Sequence, residues 1–435
     1  MHELARALVT PRSASRSVAV IGGGWAGLAA AVEAVRRGHV VTVFEMAPQL
    51  GGRARGVEAA GLALVNGQHI LSGAYIVTLE LLHTVGVSID QAFLRTPLCI
   101  TDPNGIGLRL AGGAPITSFA AAVLRQRNWR VRDRLALLAA AIYWALRGFR
   151  CHRSLSVAKL TARLPLSVRN DLIDPLCVAA LNTAASDASA AVFLRVLKDA
   201  LFSGPGSADL LLPRASLSAL LPEPTQRWLA GVGARVRLRH RVGSVAAQGT
   251  AWTIDAERFD RVVLATTAIE AARLTATIAP EWSRAAAALR YEPIVTVYLR
   301  STGARLPDPM LALRADARLP AQFVFDRGQL GGADGLLAFV VSGAQPWVDR
   351  GMEATAQAAM DQAREALGDH LRGPLQLVRT IIEKRATFRC TPGLQRPAMA
   401  VAPGVHAAGD HVAGPYPATL EGAVRSGLQA VRAFS

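Results

Sequence analysis

Apolar and polar positions change period several times along this chain. Val18-Ala19-Val20-Ile21 is a continuous apolar run of strand length, a glycine cluster follows, and Leu28 to Arg37 then repeats at helical spacing up to Gly38. Val40 to Phe44 is a second apolar strand closed by Glu45, so residues 18–45 predict one strand-helix-strand unit of about thirty residues. From there to about Gly86 the text is glycine-rich and reads as loop, with a helix near Ile76 to Thr84. Spacing is helical and strongly basic between Ala120 and Lys198. Alternation returns after Trp228, predicting strands at Val236 to Leu238, Val242 to Val245, Trp252 to Ile254 and, as a buried strand, Val262 to Ala265. Strands at Ile294 to Leu299, Phe323 to Phe325 and Leu336 to Val341, a helix at Glu353 to Leu367, and a strand at Val405 to Ala408 complete the pattern. A turn at Gly409-Asp410 and a helix from about Leu420 close it.

Length and composition narrow the class. At 435 residues, with 51% hydrophobic and 18% charged residues, the chain can bury a large interior, which excludes a disordered tail, a collagenous fibre and a disulfide-knot toxin. Mean hydropathy is high at +0.27. Yet the longest uncharged apolar run, Leu135 to Leu146, falls far short of the roughly 20 residues of a spanning helix. Cys99, Cys151, Cys177 and Cys390 form no CxxC pair, which points to a reducing, cytoplasmic compartment and to no metal site. Residues 1–17 lack an apolar stretch of secretory type and read as a flexible leader.

The net charge of +16 rests almost wholly on arginine, since Lys159, Lys198 and Lys384 are the only lysines. A GC-rich genome tends to write such a chain, so composition alone is one explanation; attraction to an anionic surface is the other. Position favours lipid over nucleic acid. Arg125, Arg127, Arg130, Arg132 and Arg134 precede the apolar stretch and Arg147, Arg150 and Arg153 follow it, an arrangement that suits an interfacial helix with Tyr143 and Trp144 at headgroup depth. The competing reading is a buried helix with a solvated basic collar. No nucleic-acid reader motif accompanies the arginines.

The chemistry begins at Gly22-x-Gly24-x-x-Gly27. Between a strand and a helix, these glycines allow a tight turn, the approach of a pyrophosphate and close helix-strand packing, with Ala26 in the same phosphate-facing turn. Glu45 ends the second strand, where a carboxylate accepts hydrogen bonds from a ribose diol and disfavours a 2′-phosphate. Gly51-Gly52-Arg53-Ala54-Arg55 follows at once and resembles the GG-R-x-R signature of flavin-dependent amine oxidases and carotenoid desaturases, which selects FAD over NAD. His406 to Asp410 resembles the second flavin element of that superfamily, with Gly409 and Asp410 at the ribityl chain. The helix opening at Leu420 would present its positive end to the flavin N1/O2 edge, and the backbone of Val242 would meet the adenine. The fold expected is α/β: a Rossmann-like, GR2-type FAD-binding domain (18–86, 206–285, 396–435) interleaved with an α+β substrate-binding domain. That second domain divides into a mostly helical, membrane-facing part (87–205) and a sheet-bearing part (286–395).

Further segments narrow the resemblance. Asn66-Gly67-Gln68-His69, Pro175 to Thr183, Ala208 to Arg214 and Pro417 to Gly427 together resemble the squalene-associated FAD-dependent desaturases, the hydroxysqualene dehydroxylase family. Val65 stands where that family leads one to expect a carboxylate, and Ala184-Ala185 where one expects proline. The resemblance implies reductive conversion of hydroxysqualene to squalene, within squalene and hopanoid biosynthesis, by a cytoplasmic protein peripherally attached to an anionic membrane beside the preceding enzymes of the squalene pathway. An acid must assist the departing hydroxyl; the resemblance places His69 beside the flavin ring for this role, with Gln68 and Asn66 orienting it and Asp209 and Tyr416 as further candidates. A carotenoid-type desaturase or an amine oxidase is the alternative on the same fold, although Thr419 stands where amine oxidases usually carry tyrosine. A non-enzymatic membrane scaffold fits least, because every flavin element is intact.

Overall fold

The computed structural model describes residues 15–59, 61–65 and 67–434. The expected leader lies outside the described residues up to position 14, and Ser17 already opens a strand. β1 (Ser17–Ile21), α1 (Trp25–Arg36) and β2 (Val40–Phe44) form the predicted opening unit. After it come α2 (Ile76–Thr84), α3 (Pro115–Arg125), α4 (Val131–Leu146), α5 (Ala190–Phe202), the long strands β3 (Tyr291–Arg300) and β4 (Gln376–Phe388), and the last helix α6 (Leu420–Arg432).

Two sheets organise the molecule. The first is six-stranded, in the order 235–237, β2, β1, 261–264, 405–407, 400–402, and is parallel except for its final pair. Strands covered on both faces must be apolar throughout, and Val18, Ala19 and Val20 are wholly buried. Val18, Val20 and Val43 pack against alanines of α1 together with Ala430 and Val431 of α6, while Ala19, Ile21 and Phe44 pack against Trp252, Ile254 and Phe259 of an antiparallel layer. The second sheet is five-stranded and antiparallel, in the order 310–312, 323–326, 336–341, β3, β4. Alternation along β3 sends Val295, Val297 and Leu299 against the helix 352–367, and Tyr298 to the other face with Leu64, Leu212, Phe323 and Phe325.

The helical region closes around Trp129, Leu137, Trp144, Phe149 and Phe193. Trp144 is thus a core residue at 6% exposure rather than a headgroup anchor, because one helical step turns it about 100° from Tyr143, which is 59% exposed. On the outer face of α4, Val131, Leu135, Ile142 and Leu146 line up at helical spacing and are 66%, 55%, 61% and 83% exposed. No helix among the described residues is long and apolar enough to cross a membrane.

Elsewhere the local pattern misleads. The glycine-rich stretch after Glu45 contains a hairpin of 56–59 with 62–65, too short to read by alternation and held by Leu64 against the second sheet. The strand expected at Val242 to Val245 begins only at Val245, and Val242 lies in the preceding loop, its carbonyl accepting a hydrogen bond from Arg273 Nη2 at 2.6 Å. The helical block after α4 is broken by a π-helical segment, Arg169–Ile173, and again before α5 at Asn182, which lies in the left-handed region, φ 47°.

Candidate active site

The glycines after β1 are glycine for different reasons. A Cβ on Gly22 would stand 2.4 Å from the Ala265 carbonyl oxygen, and one on Gly27 would stand 1.9 Å from that of Gly22. The protein itself therefore forbids side chains there. Gly24 differs: its nearest neighbour would be Gly52 Cα at 4.0 Å, so the fold leaves open the place where a ligand's pyrophosphate would lie. Gly51 N–H donates to the Gly23 carbonyl at 2.9 Å, which docks the Gly51-Gly52 turn on this cradle. Glu45 is buried at the same sheet end; its oxygens accept from Gly23 N–H and Ala47 N–H, both at 2.7 Å. The His240 N–H donates to the Glu45 carbonyl at 2.9 Å, bringing the Val242 loop to this end as well.

Arg53 leaves the same turn and crosses to Asp410, Nη2 to Oδ1, at 2.5 Å, while its Nη1 donates to the Ala386 carbonyl on β4 at 2.8 Å. Burial opposes ionisation of Asp410, but the Arg53 guanidinium and the adjacent His411 outweigh it and hold the carboxyl well below the usual carboxylate range. His411 Nδ1 lies 3.8 Å from Asp410, and its buried Nε2 has no hydrogen-bond partner among the described residues. An orphaned buried nitrogen and an open glycine cradle fit a polyhydroxylated diphosphate cofactor. At Leu420 the helix α6 begins, capped by Thr419 Oγ1, which accepts from Gly422 N–H at 2.9 Å. Glu421, fully buried, accepts from Thr78 N–H, Thr78 Oγ1 and Arg425 Nε, and so clamps the start of α2 to the start of α6.

Of the residues expected to act on substrate, His69 lies within the field of Arg53. Its Nδ1 sits 3.1 Å from the Gly67 carbonyl, and its pKa is lowered, chiefly by burial and further by Arg53, against the raising effects of the Gly67 hydrogen bond and of Glu383. The Gln68 amide is bound to other groups than the imidazole. Its Nε2 donates to Tyr298 Oη at 2.9 Å and its Oε1 accepts from Arg327 Nη1 at 3.2 Å, while Tyr298 Oη donates to the Val65 carbonyl at 2.9 Å. Asn66 lies outside the described residues. Asp209 pairs with Arg95 at 2.7 Å. Tyr416 accepts from Arg195 Nη2 at 2.8 Å, and its ring lies between the guanidiniums of Arg195 and Arg425, 4.6 and 4.9 Å from the centroid. Sequence reasoning missed Tyr298 and Arg327, which reach Gln68 only through the second sheet; the sole local signal for Tyr298 is the alternation of β3, and Arg327 sits in the turn after the strand 323–326.

A nucleotide cradle joined to a carboxylate-guanidinium pair is what a flavin site requires, and the model of the flavin-containing amine oxidoreductases matches residues 25–434. The chain belongs to that family. The flavoprotein is 30% identical to hydroxysqualene dehydroxylase of Rhodopseudomonas palustris, over 96% of this chain and 97% of that one. It is 28% identical to hydroxysqualene dehydroxylase of Sinorhizobium fredii, over 95% and 97% respectively. Among solved structures it superposes on an oxidoreductase from Methanosarcina mazei with a TM-score of 0.72 at 15% identity, covering 96% of this chain and 99% of that one. For cyclohexylamine oxidase of Brevibacterium oxydans the TM-score is 0.68 at 16% identity, covering 97% and 99%. The fold is therefore that of FAD-dependent oxidoreductases, and FAD is the cofactor.

Proposed function

We infer that this flavoprotein catalyses the reductive dehydroxylation of hydroxysqualene to squalene. The observation that carries the reading is the end-to-end match to two hydroxysqualene dehydroxylases, over at least 95% of this chain and 97% of each relative. In the reaction the allylic C–O bond breaks, the oxygen leaves as water after gaining a proton, and the carbon gains a hydride. Reduced FAD, when bound, supplies that hydride.

The chain's own residues hold the cofactor and manage the proton. Gly22, Gly24, Ala26 and Gly27 receive the pyrophosphate, Glu45 the ribose and the Val242 backbone the adenine; Gly51, Gly52, Arg53, Gly409, Asp410 and Leu420 surround the flavin half. His69 passes the proton from Nε2. With Nδ1–H donated to the Gly67 carbonyl, Nε2 is the nitrogen left to face the departing oxygen. Gln68, anchored to Tyr298 and Arg327, holds the segment that carries His69. Half-buried Ile70, Leu98, Leu176, Ile294 and Ile381, around Tyr298, supply an apolar surface for a hydrocarbon chain. Against an amine substrate stands Thr419, whose hydroxyl is engaged in capping α6 where an aromatic ring would be needed.

The same reading makes α3 and α4 the docking face for an anionic lipid surface, from which so insoluble a substrate must come. The exposed apolar line on α4 is ringed by Arg125, Arg127, Arg130, Arg132, Arg147 and Arg150, all exposed, so apolar insertion and headgroup attraction act together. Dithionite-reduced holoprotein, incubated anaerobically with hydroxysqualene, should yield squalene by mass spectrometry. Fully reduced, FAD-replete protein that forms none would refute the assignment.

A further inference from the structure

Arg327 is a cation at 6% exposure without a counter-ion among the described residues. Burial works against its charge, and the Tyr298 phenol is the group that favours it. The adjacent carboxylate, Asp326, is taken up elsewhere, by Leu306 N–H at 3.0 Å and Gln329 Nε2 at 2.8 Å. Taking a guanidinium out of water is costly unless its donors find acceptors.

The backbone holds this residue in place on both sides. Arg327 N–H donates to the Leu336 carbonyl at 2.8 Å, and the Arg327 carbonyl accepts from Gly332 N–H at 2.7 Å. Phe325 and Tyr298 share one face of the second sheet, and Arg327, two residues past Phe325, continues it. There its Nη1 donates to Gln68 Oε1 at 3.2 Å, Gln68 Nε2 donates to Tyr298 Oη at 2.9 Å, and Tyr298 Oη donates to the Val65 carbonyl at 2.9 Å. Every bond in this chain runs away from the guanidinium, so the chain supplies one acceptor and no more. Nε and Nη2 of Arg327 are not among the described atoms sealed from solvent without a partner, so these donors open on free space rather than on packed protein. The half-buried side chains about Tyr298 are apolar, Ile70, Leu98, Leu176 and Ile294 among them. Gln68 also precedes His69 in the chain, which sets the guanidinium beside the segment read as acting on the hydroxyl.

We propose that Arg327 is a specificity residue, its unused N–H groups receiving the hydroxyl oxygen of the isoprenoid alcohol and so separating the alcohol from the hydrocarbon that dehydroxylation leaves. The proposal rests on the reading of the substrate as hydroxysqualene. With a hydrocarbon in the same place the buried cation has no acceptor, so the reaction's own product is the weaker ligand.

Oxidised, FAD-loaded protein binds without reducing the alcohol, so affinities for radiolabelled hydroxysqualene and squalene are compared in one detergent. Wild type should hold the alcohol about 10–100-fold more tightly, the worth of a hydrogen bond to a charged donor. Arg327→Met should make the two affinities about equal, chiefly by weakening the alcohol, and Arg327→Gln, which keeps an amide donor without the charge, should retain part of the preference. Equal binding of both ligands by the wild type overturns the proposal. So does a wild-type ratio in either variant, because a residue that only supports Gln68 would weaken both ligands alike. Squalene formation by the reduced wild type is a separate measurement: it can succeed while the variants keep the ratio, or fail while they lose it, so the two readings fall independently.

Discussion

Arg53 and Asp410 are 357 residues apart in sequence and meet at 2.5 Å. The pair joins the first flavin element of the chain to the last, and Arg53 extends it to β4 through the Ala386 carbonyl. One guanidinium thus ties together the nucleotide-binding sheet, the turn before α6 and the second sheet.

That pair makes stability depend on pH. The folded pKa of Asp410 is depressed, so its contribution is complete above the unfolded carboxylate value of about 4 and is lost as the pH falls through the depressed one. Asp410→Asn leaves Arg53 without its counter-ion, at an expected cost of about 3 kcal/mol. Thermal unfolding followed from neutral pH to pH 3 should show the wild type converging on the variant as acid is added. Parallel curves would mean that the ionisation of Asp410 adds nothing to the pH dependence of stability.

Gly24 and Gly27 should fail differently. Gly24→Val meets no protein atom closer than Gly52 Cα, so the variant should fold and lose flavin absorbance, because the side chain enters the pyrophosphate's place. Gly27→Val collides with the Gly22 carbonyl and should not fold. Circular dichroism separates the two outcomes. Yellow, FAD-replete Gly24→Val protein would remove the cradle from the cofactor.

His69→Ala should keep FAD and lose turnover by about 10²–10⁴, the usual worth of general acid assistance. Because the His69 pKa lies below its ordinary value of about 6.5, wild-type turnover should already decline on the acid side of neutrality as the pH rises. A variant within a few-fold of wild type would make Tyr416 or Asp209 the next residue to replace.

Leu135 and Ile142 are 55% and 61% exposed, so Leu135→Glu with Ile142→Glu should leave the melting temperature within about 1 °C while weakening sedimentation with anionic vesicles. High salt should release the wild type, since headgroup attraction is screened over about 8 Å at physiological ionic strength. Equal binding to neutral vesicles would leave the arginine ring without a role.

What the sequence determined by itself was whatever depends on neighbours along the chain. The strand-helix-strand unit at 18–45, the glycines at 22, 24 and 27, Glu45, the Gly51-Gly52-Arg53 turn and the cap of α6 are local, because a tight turn, a phosphate-facing helix start and a buried parallel strand each demand residue types at fixed spacing. Trp144 and Val242 mark where that reasoning ends. The helical pattern around Trp144 is right, but only packing against Trp129 and Phe149 decides which face is buried; Val242 reads as strand and is loop, since no partner strand reaches it. The segment 66–69 was legible as a candidate, but the groups that hold it were not. Tyr298 comes from a strand whose alternation says which residues share a face but not what that face covers, Arg327 from the turn just after the strand 323–326, and the two meet Gln68 only in the folded chain. The hydrogen bonds of Gln68 are made to groups more than two hundred residues away, so only the tertiary structure decided them.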